Sequence, residues 1–215
     1  AILARLAVLA KPLDEIRNKV VARISAPING DRKVCRVQEC EMGNLVAEAM
    51  LDEVADLGVS IAIANSGGLR ASIEAGDVTM GDVLTVLPFQ NTLSTFRVTG
   101  QTVIDALENG VSQIEEGKGR FPQVAGLRFS FDMSIAPNEG RMMVKQNGRW
   151  QPIDLSKRYY LVSNNYVRGG GDGYRMFADA RDVYDFGPDL ADVVAGYLAD
   201  QPDYMPFTDG RIIRK

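Results

Sequence analysis

The chain has 215 residues, 46% of them hydrophobic, and a formal net charge of −4, which fits one large domain or one domain with a connecting element. That acidic balance excludes the basic face a nucleic-acid polymer would need, and no run of about 18 apolar residues offers a membrane span. The histidine count of zero excludes Ser-His-Asp and Cys-His nucleophiles, histidine-ligated metal pairs and the usual general base near neutral pH, leaving carboxylate chemistry open. Leu3, Leu6 and Leu9, then Leu13, Ile16, Val20, Val21 and Ile24 beyond Pro12, fall at helical spacing. They predict a helix over 3–24 that Pro12 breaks or restarts. Pro27 and Asn29-Gly30-Asp31 mark a turn, and Val34 to Val37 reads as a short strand.

Cys35 and Cys40 have four residues between them. They can close a small disulfide, form part of a metal site or stand as separate thiols. The disulfide is favoured, because a zinc site needs two further nitrogen or sulfur ligands and the chain has no histidine and no third cysteine.

Met42 to Leu57 carries a helical apolar stripe stopped by Gly58. Ser60 to Ala64 is a continuous apolar run suited to a buried strand. At its end lies Asn65-Ser66-Gly67-Gly68-Leu69-Arg70, where loops of mixed α/β folds hold ligands. Ile73 to Thr79 reads as a tight turn, and Met80 to Leu87 as a short helix ended by Pro88, with Phe89 just beyond in Leu87-Pro88-Phe89-Gln90-Asn91. Thr92 to Thr99 alternates as a strand, and Gln101 to Glu115 is an amphipathic helix. Phe121 to Asp132 alternates with Gly126 interrupting, and Arg141 to Val144 with Gln151 to Ile153 reads as a hairpin around Asn147-Gly148.

Arg158 to Ser163 is a strand feeding Asn164-Asn165-Tyr166-Val167-Arg168-Gly169-Gly170-Gly171-Asp172-Gly173-Tyr174, where glycines free the backbone for positive φ and close approach. The stretch reads as a binding loop around Asp172, with a flexible turn as the alternative. Asp189 to Leu198 is a last amphipathic helix and Gly210 to Ile213 a short terminal strand. The whole predicts an α+β fold in layers, with helices outside mixed sheets.

Four segments, taken in order, resemble the C-terminal, substrate-binding domain of the bacterial and animal 5'-nucleotidases, a family that includes UDP-sugar hydrolases. They are Cys35-Arg36 through Glu39-Cys40-Glu41-Met42-Gly43-Asn44-Leu45, Asn65 through Arg70, Val86-Leu87-Pro88-Phe89, and Asn165-Tyr166 through Gly170-Gly171-Asp172-Gly173-Tyr174. The resemblance implies a layered α/β/β/α sandwich with mixed sheets. It implies residues 1–24 as the remnant of an interdomain connector helix and 25–215 as the nucleotide-binding domain. Phe89 and Tyr166 would sandwich the base, Asp172 would accept from ribose hydroxyls, and Asn65, Arg70 and Arg36 would contact ribose and phosphate. Gly67 and Gly126 complete the substrate-binding set. Tyr166 stands where phenylalanine is common, so its hydroxyl either adds a polar contact or reaches solvent. The cysteine pair matches one in some family members, and with it the resemblance implies a periplasmic or extracellular location.

The resemblance further implies no cofactor in this chain. Divalent ions such as zinc or manganese would belong to an N-terminal metallophosphatase domain of the same protein, and this chain alone would bind nucleotides without turning them over. No signal-peptide pattern opens the sequence, which reads as soluble, and its start at Ala1 rather than Met reads as a processed product. The rival readings are a non-catalytic nucleotide-binding module and the substrate domain of a related hydrolase acting on cyclic phosphates or sulfur esters.

Overall fold

The computed structural model describes residues 12–146 and 151–215. Eleven strands among them form a two-stranded, a five-stranded and a four-stranded sheet. The small sheet pairs β1 (Val20–Ile24) antiparallel with β3 (Gly76–Thr79). The five-stranded sheet runs β10 (Arg181–Tyr184), β4 (Leu93–Thr99), β9 (Arg158–Asn164), β2 (Ile61–Asn65), β5 (Pro122–Ala125). The third runs β11 (Ile212–Arg214), β6 (Leu127–Phe131), β7 (Met142–Gln146), β8 (Gln151–Pro152). Parallel β2/β9 and β11/β6 pairs among antiparallel neighbours make both larger sheets mixed, as the α+β expectation required.

Apart from its edge strand β10, the five-stranded sheet is largely buried on both faces, which explains the unbroken apolar run of β2. Ala62 and Ala64 face a core shared with α3 (Glu41–Glu53) and α7 (Leu190–Ala199). Ile61 and Ile63 face the opposite core, built with α5 (Gly100–Val111) and the four-stranded sheet. Alternate side chains of one strand thus serve two cores, so neither face can carry a polar stripe. Among the described residues no helix is long and apolar enough to cross a membrane.

Several local expectations hold. Gly58 ends α3 and its following turn in the left-handed conformation at φ 73°, and α4 (Met80–Val86) carries a capping box between Thr79 and Asp82 before Pro88. Others do not. The predicted helix over 3–24 is helical at 12–17 (α1) but becomes strand β1 at Val20; its part before residue 12 lies outside the described residues. Val20, Val21 and Ile24 are β-branched, and Val20 and Ile24 pair with the segment read as a tight turn, so both partners of one ladder were misjudged together. Val34 to Val37 is not a strand: Asp31 caps the one-turn helix α2 (Arg32–Cys35) by accepting from the Lys33 N–H at 2.8 Å. Strand β10 was missed because its residues are all exposed and show no alternation. The Asn147-Gly148 turn lies outside the described residues; β7 and β8 on either side of it pair antiparallel.

Candidate functional site

Because β2 and β9 run parallel, their carboxyl ends emerge on the same edge of the sheet, and antiparallel β4 begins there. That topology brings three loops together: the one after β2, the one before β4 and the glycine-rich one after β9. Two hydrogen bonds join the last two. The Asn165 N–H donates to the Thr92 carbonyl at 2.9 Å, and the Thr92 N–H donates to Asn165 Oδ1 at 3.2 Å. Between the loops lies an open cleft of about 510 Å³. Arg36, Asn65, Gly67, Arg70, Phe89, Tyr166 and Asp172 all line it, so seven of the eight substrate-binding candidates meet in one place.

Gly126 is the exception and corrects that set. It joins β5 to β6 at φ 72°, and a Cβ there would sit 2.0 Å from the Ser60 carbonyl oxygen. Ser60 precedes β2 whereas Asn65 ends it, so the two lie about 16 Å apart along the strand. The glycine serves the strand corner.

The glycine-rich loop is compact. Asn164 caps the short α6 (Asn165–Arg168) by accepting from the Val167 N–H at 2.9 Å, and 3-10 turns follow at Gly171–Gly173 and Arg175–Phe177. Close approach fixes two of its glycines. A Cβ on Gly171 would meet Cζ of the Tyr166 ring at 2.5 Å, and one on Gly173 would meet Asn109 Oδ1 at 2.6 Å. Between them Asp172 takes the left-handed conformation at φ 52°, which aspartate tolerates better than most residues. Asn109 Nδ2 holds its carbonyl at 3.1 Å.

The Asp172 carboxylate is held on both oxygens. Asn65 Nδ2 donates to Oδ2 at 2.7 Å, and the Tyr166 hydroxyl donates to Oδ1 at 3.1 Å. Asn65 is itself buried and fixed by Asn164 Nδ2 donating to its Oδ1 at 3.0 Å. Each carboxylate oxygen keeps a lone pair for a ligand donor. Burial, reinforced by the neighbouring Asp172 charge, raises the Tyr166 phenol above its ordinary pKa, so the hydroxyl remains a donor at neutral pH.

Opposite chemistry comes from Arg36 and Arg70. Arg36 lies inside the ring closed by the Cys35–Cys40 disulfide, and that ring is further pinned by buried Gln123. The Gln123 amide donates to the carbonyls of Cys35 at 2.9 Å and Gln38 at 2.8 Å and accepts from the Cys40 N–H at 3.3 Å. Gly43 belongs to the same device, since a Cβ there would strike the Gln123 side chain at 2.2 Å. Arg36 Nη1 donates only to the Gly117 carbonyl at 3.2 Å, while its buried Nε has no partner among the described residues. Burial first, then the charges of Arg32 and Arg70, push the Arg36 pKa below the ordinary guanidinium value. Arg70 donates to the Gly67 carbonyl at 3.4 Å and lies 5.5 Å over the Phe89 ring.

Phe89 and Tyr166 are 54% and 48% exposed, unlike the core aromatics. The predicted substrate-binding set lacked Gly68, Asn91 and Gly119, which also line the cleft. The Gly67 N–H donates to the Gly119 carbonyl at 2.7 Å, and a Cβ on Gly119 would lie 2.7 Å from the Gly67 Cα. The two glycines are therefore needed by each other. The Gly117-Lys118-Gly119 spacing was the available signal. Among the described residues no group of three or more Cys, Asp or Glu is placed to hold a metal ion.

The profile of the 5'-nucleotidase C-terminal domain matches residues 20–179. The trifunctional nucleotide phosphoesterase protein YfkN of Bacillus subtilis is 39% identical over 179 residues, covering 81% of this chain and 12% of that protein. Among solved structures, a 5'-nucleotidase precursor from Thermus thermophilus superposes with a TM-score of 0.91 at 37% identity, over 99% of this chain and 43% of that one. The NAD nucleotidase of Haemophilus influenzae does so with a TM-score of 0.81 at 27% identity, over 97% and 40% respectively. In each case the chain spans less than half of its relative's length. The chain belongs to the 5'-nucleotidase C-terminal domain family.

Proposed function

We propose that this chain is the nucleotide-recognising domain of a metal-dependent phosphohydrolase. What supports the reading above all is the company in one cleft: two half-exposed rings, Phe89 and Tyr166, a pre-oriented Asp172 carboxylate, and two arginines, Arg36 and Arg70, with no ion pair among the described residues. The rings stack on the faces of a base, a contact indifferent to base identity. Asp172 accepts from the ribose hydroxyls, with Asn65 holding the carboxylate. Arg36 and Arg70 receive the phosphate, whose charge offsets the repulsion from Arg32 and Arg70 that, after burial, lowers the Arg36 pKa.

This chain's own residues bind and orient; no cluster among the described residues fits a metal, and the divalent ions and the hydrolytic step are assigned to a separate N-terminal metallophosphatase domain of the same protein. The connector to that domain would end by residue 19, since β1 is already part of the domain's own pairing. The Cys35–Cys40 disulfide supports a reading in which the protein works in an oxidising compartment, periplasmic or extracellular.

Calorimetry with adenosine and uridine at millimolar concentration tests the reading. Phe89→Ala is expected to weaken both by a similar amount, about 1–3 kcal/mol. If the wild-type chain binds neither nucleoside, or if Phe89→Ala binds both as the wild type does, the cleft is not a nucleoside site.

A further inference from the structure

We propose that the Tyr166 hydroxyl is a positioning group that locks the stacking ring and the Asp172 carboxylate into one rigid unit, and that it thereby sets how strongly the cleft prefers ribonucleosides over sugars lacking the vicinal hydroxyls. The inference rests on the nucleotide-binding reading above. Its basis is a closed pair of hydrogen bonds, one in each direction. The Tyr166 hydroxyl donates to Asp172 Oδ1 at 3.1 Å and accepts from the Asp172 N–H at 3.2 Å. The ring itself lies on the backbone of Gly171, the residue just before Asp172, where no Cβ fits. Three contacts therefore tie one side chain to two consecutive residues of the loop.

The tie matters because of where Asp172 sits. Its backbone is in the left-handed conformation in a loop of four glycines, which a free chain populates as one state among many. Asn65 alone holds the carboxylate by Oδ2, and a single hydrogen bond leaves rotation about it. The second donor, on Oδ1, comes from α6 rather than β2, so the two together define the carboxylate plane. With the hydroxyl present, the face that stacks the base and the lone pairs that accept from the sugar stay at a fixed separation. With a phenylalanine, the ring keeps its seat on Gly171, but Oδ1 and the Asp172 N–H lose their partner, and the carboxylate must be ordered at the moment of binding. That cost falls only on ligands that use the carboxylate.

The experiment compares adenosine with 2',3'-dideoxyadenosine by calorimetry on the full chain, for wild type, Tyr166→Phe, Asp172→Asn and the double variant, with circular dichroism confirming the fold. Asparagine is chosen because it tolerates the left-handed backbone. Tyr166→Phe is expected to weaken adenosine by about fivefold while dideoxyadenosine stays within about twofold, and to add nothing further once Asp172 is asparagine. Equal loss for both ligands would reduce the hydroxyl to a support of the ring. No loss, or tighter adenosine binding, would mean that the hydroxyl is dispensable or competes with the sugar; each of these overturns the inference. The underlying reading fails separately: if wild type does not prefer adenosine, or Asp172→Asn leaves the preference intact, Asp172 is not the ribose acceptor and the positioning role falls with it. If Asp172→Asn abolishes the preference and Tyr166→Phe does not, only the positioning role is lost.

Discussion

Two arginines in this molecule, Arg211 buried and Arg36 half-buried, show opposite behaviour. Arg211 is 5% exposed and donates to Asp209 at 2.8 Å, to Glu48 at 2.7 Å and to the Val124 carbonyl at 3.0 Å. Burial opposes its charge, but the hydrogen bonds to Asp209 and Glu48 outweigh that and raise its pKa. Arg36 has one carbonyl partner, an unpaired Nε and two cationic neighbours, and its pKa is lowered, by burial first and then by Arg32 and Arg70. The first cluster closes on itself around Glu39, which also accepts from Asn44 Nδ2 at 2.7 Å and from the Asp209 N–H at 2.8 Å. The second opens to the cleft with hydrogen-bonding capacity to spare. Polar burial alone therefore does not mark a site; an incompletely matched charge beside exposed rings does.

The largest test of that contrast exchanges the roles. Arg211→Ala leaves buried Glu39 and half-buried Glu48 without their cation, while Asp209 keeps Arg128, and is expected to destabilise the fold by about 3–5 kcal/mol, read from the urea midpoint. Binding of adenosine by the remaining folded protein is expected to be unchanged. Arg36→Ala, in contrast, is expected to leave the midpoint nearly in place and to weaken AMP by about 1–3 kcal/mol relative to adenosine. An Arg36 variant that unfolds like the Arg211 one would put both arginines in the structural class.

A smaller effect separates the two means by which the Arg36 loop is held. Reducing the Cys35–Cys40 bond releases a short loop and is expected to cost about 2 kcal/mol of stability. Gln123 still grips the carbonyls of Cys35 and Gln38 after reduction. Affinity for AMP is therefore expected to fall by no more than about threefold, while Gln123→Ala in the reduced protein removes the second hold and should bring the loss to that of Arg36→Ala. Urea titration and calorimetry with and without a phosphine reductant read both quantities.

How much of this was legible in the sequence follows from which interactions are local. The runs that end in Asn65 and Asn164 announce buried strands with polar loops at their carboxyl ends, and the glycines around Asp172 announce a backbone that ordinary residues cannot follow. Both signals lie within about ten consecutive residues. The pairing of β1 with β3 joins segments more than fifty residues apart, and the spacing of Val20, Val21 and Ile24 satisfies helix and strand alike. Gly119 enters the cleft only because its backbone touches Gly67. Gln123 reads as one polar position in an alternating strand, yet it is fully buried and organises the disulfide loop. Gly126 went wrong for the converse reason: a glycine beside a strand signals close approach, but nothing local says whether to ligand or to chain.

The finest comparison sets one buried tyrosine against another. Tyr174 ends the glycine-rich loop inside the core; it is fully buried and donates its hydroxyl to the Arg120 carbonyl at 2.7 Å. Tyr204, near the Arg211 cluster, is 5% exposed and its hydroxyl has no partner among the described residues. Truncating a paired hydroxyl leaves an acceptor unsatisfied, whereas truncating an unpaired one removes a desolvation cost. Tyr174→Phe is thus expected to destabilise by about 1 kcal/mol, and Tyr204→Phe to be neutral or stabilising by up to about 1 kcal/mol.

Alkaline pH sharpens the pair. Burial first pushes both phenols far above the ordinary tyrosine value, aided by the charge of Asp172 at Tyr174 and by Tyr197 and Glu48 at Tyr204. A folded-state pKa raised in this way gives a contribution fully present below the unfolded value of about 10 and lost as pH climbs past it, at about 1.4 kcal/mol per pH unit for each residue. Urea midpoints taken between pH 9 and 11 should therefore fall less steeply in either phenylalanine variant than in the wild type, by a similar amount. The two variants differ only in their neutral-pH offset, which reports the hydrogen bond. Equal offsets would mean that the Tyr174 hydroxyl contributes no more than the unpaired one, and that the end of the binding loop is held by the Tyr174 ring alone.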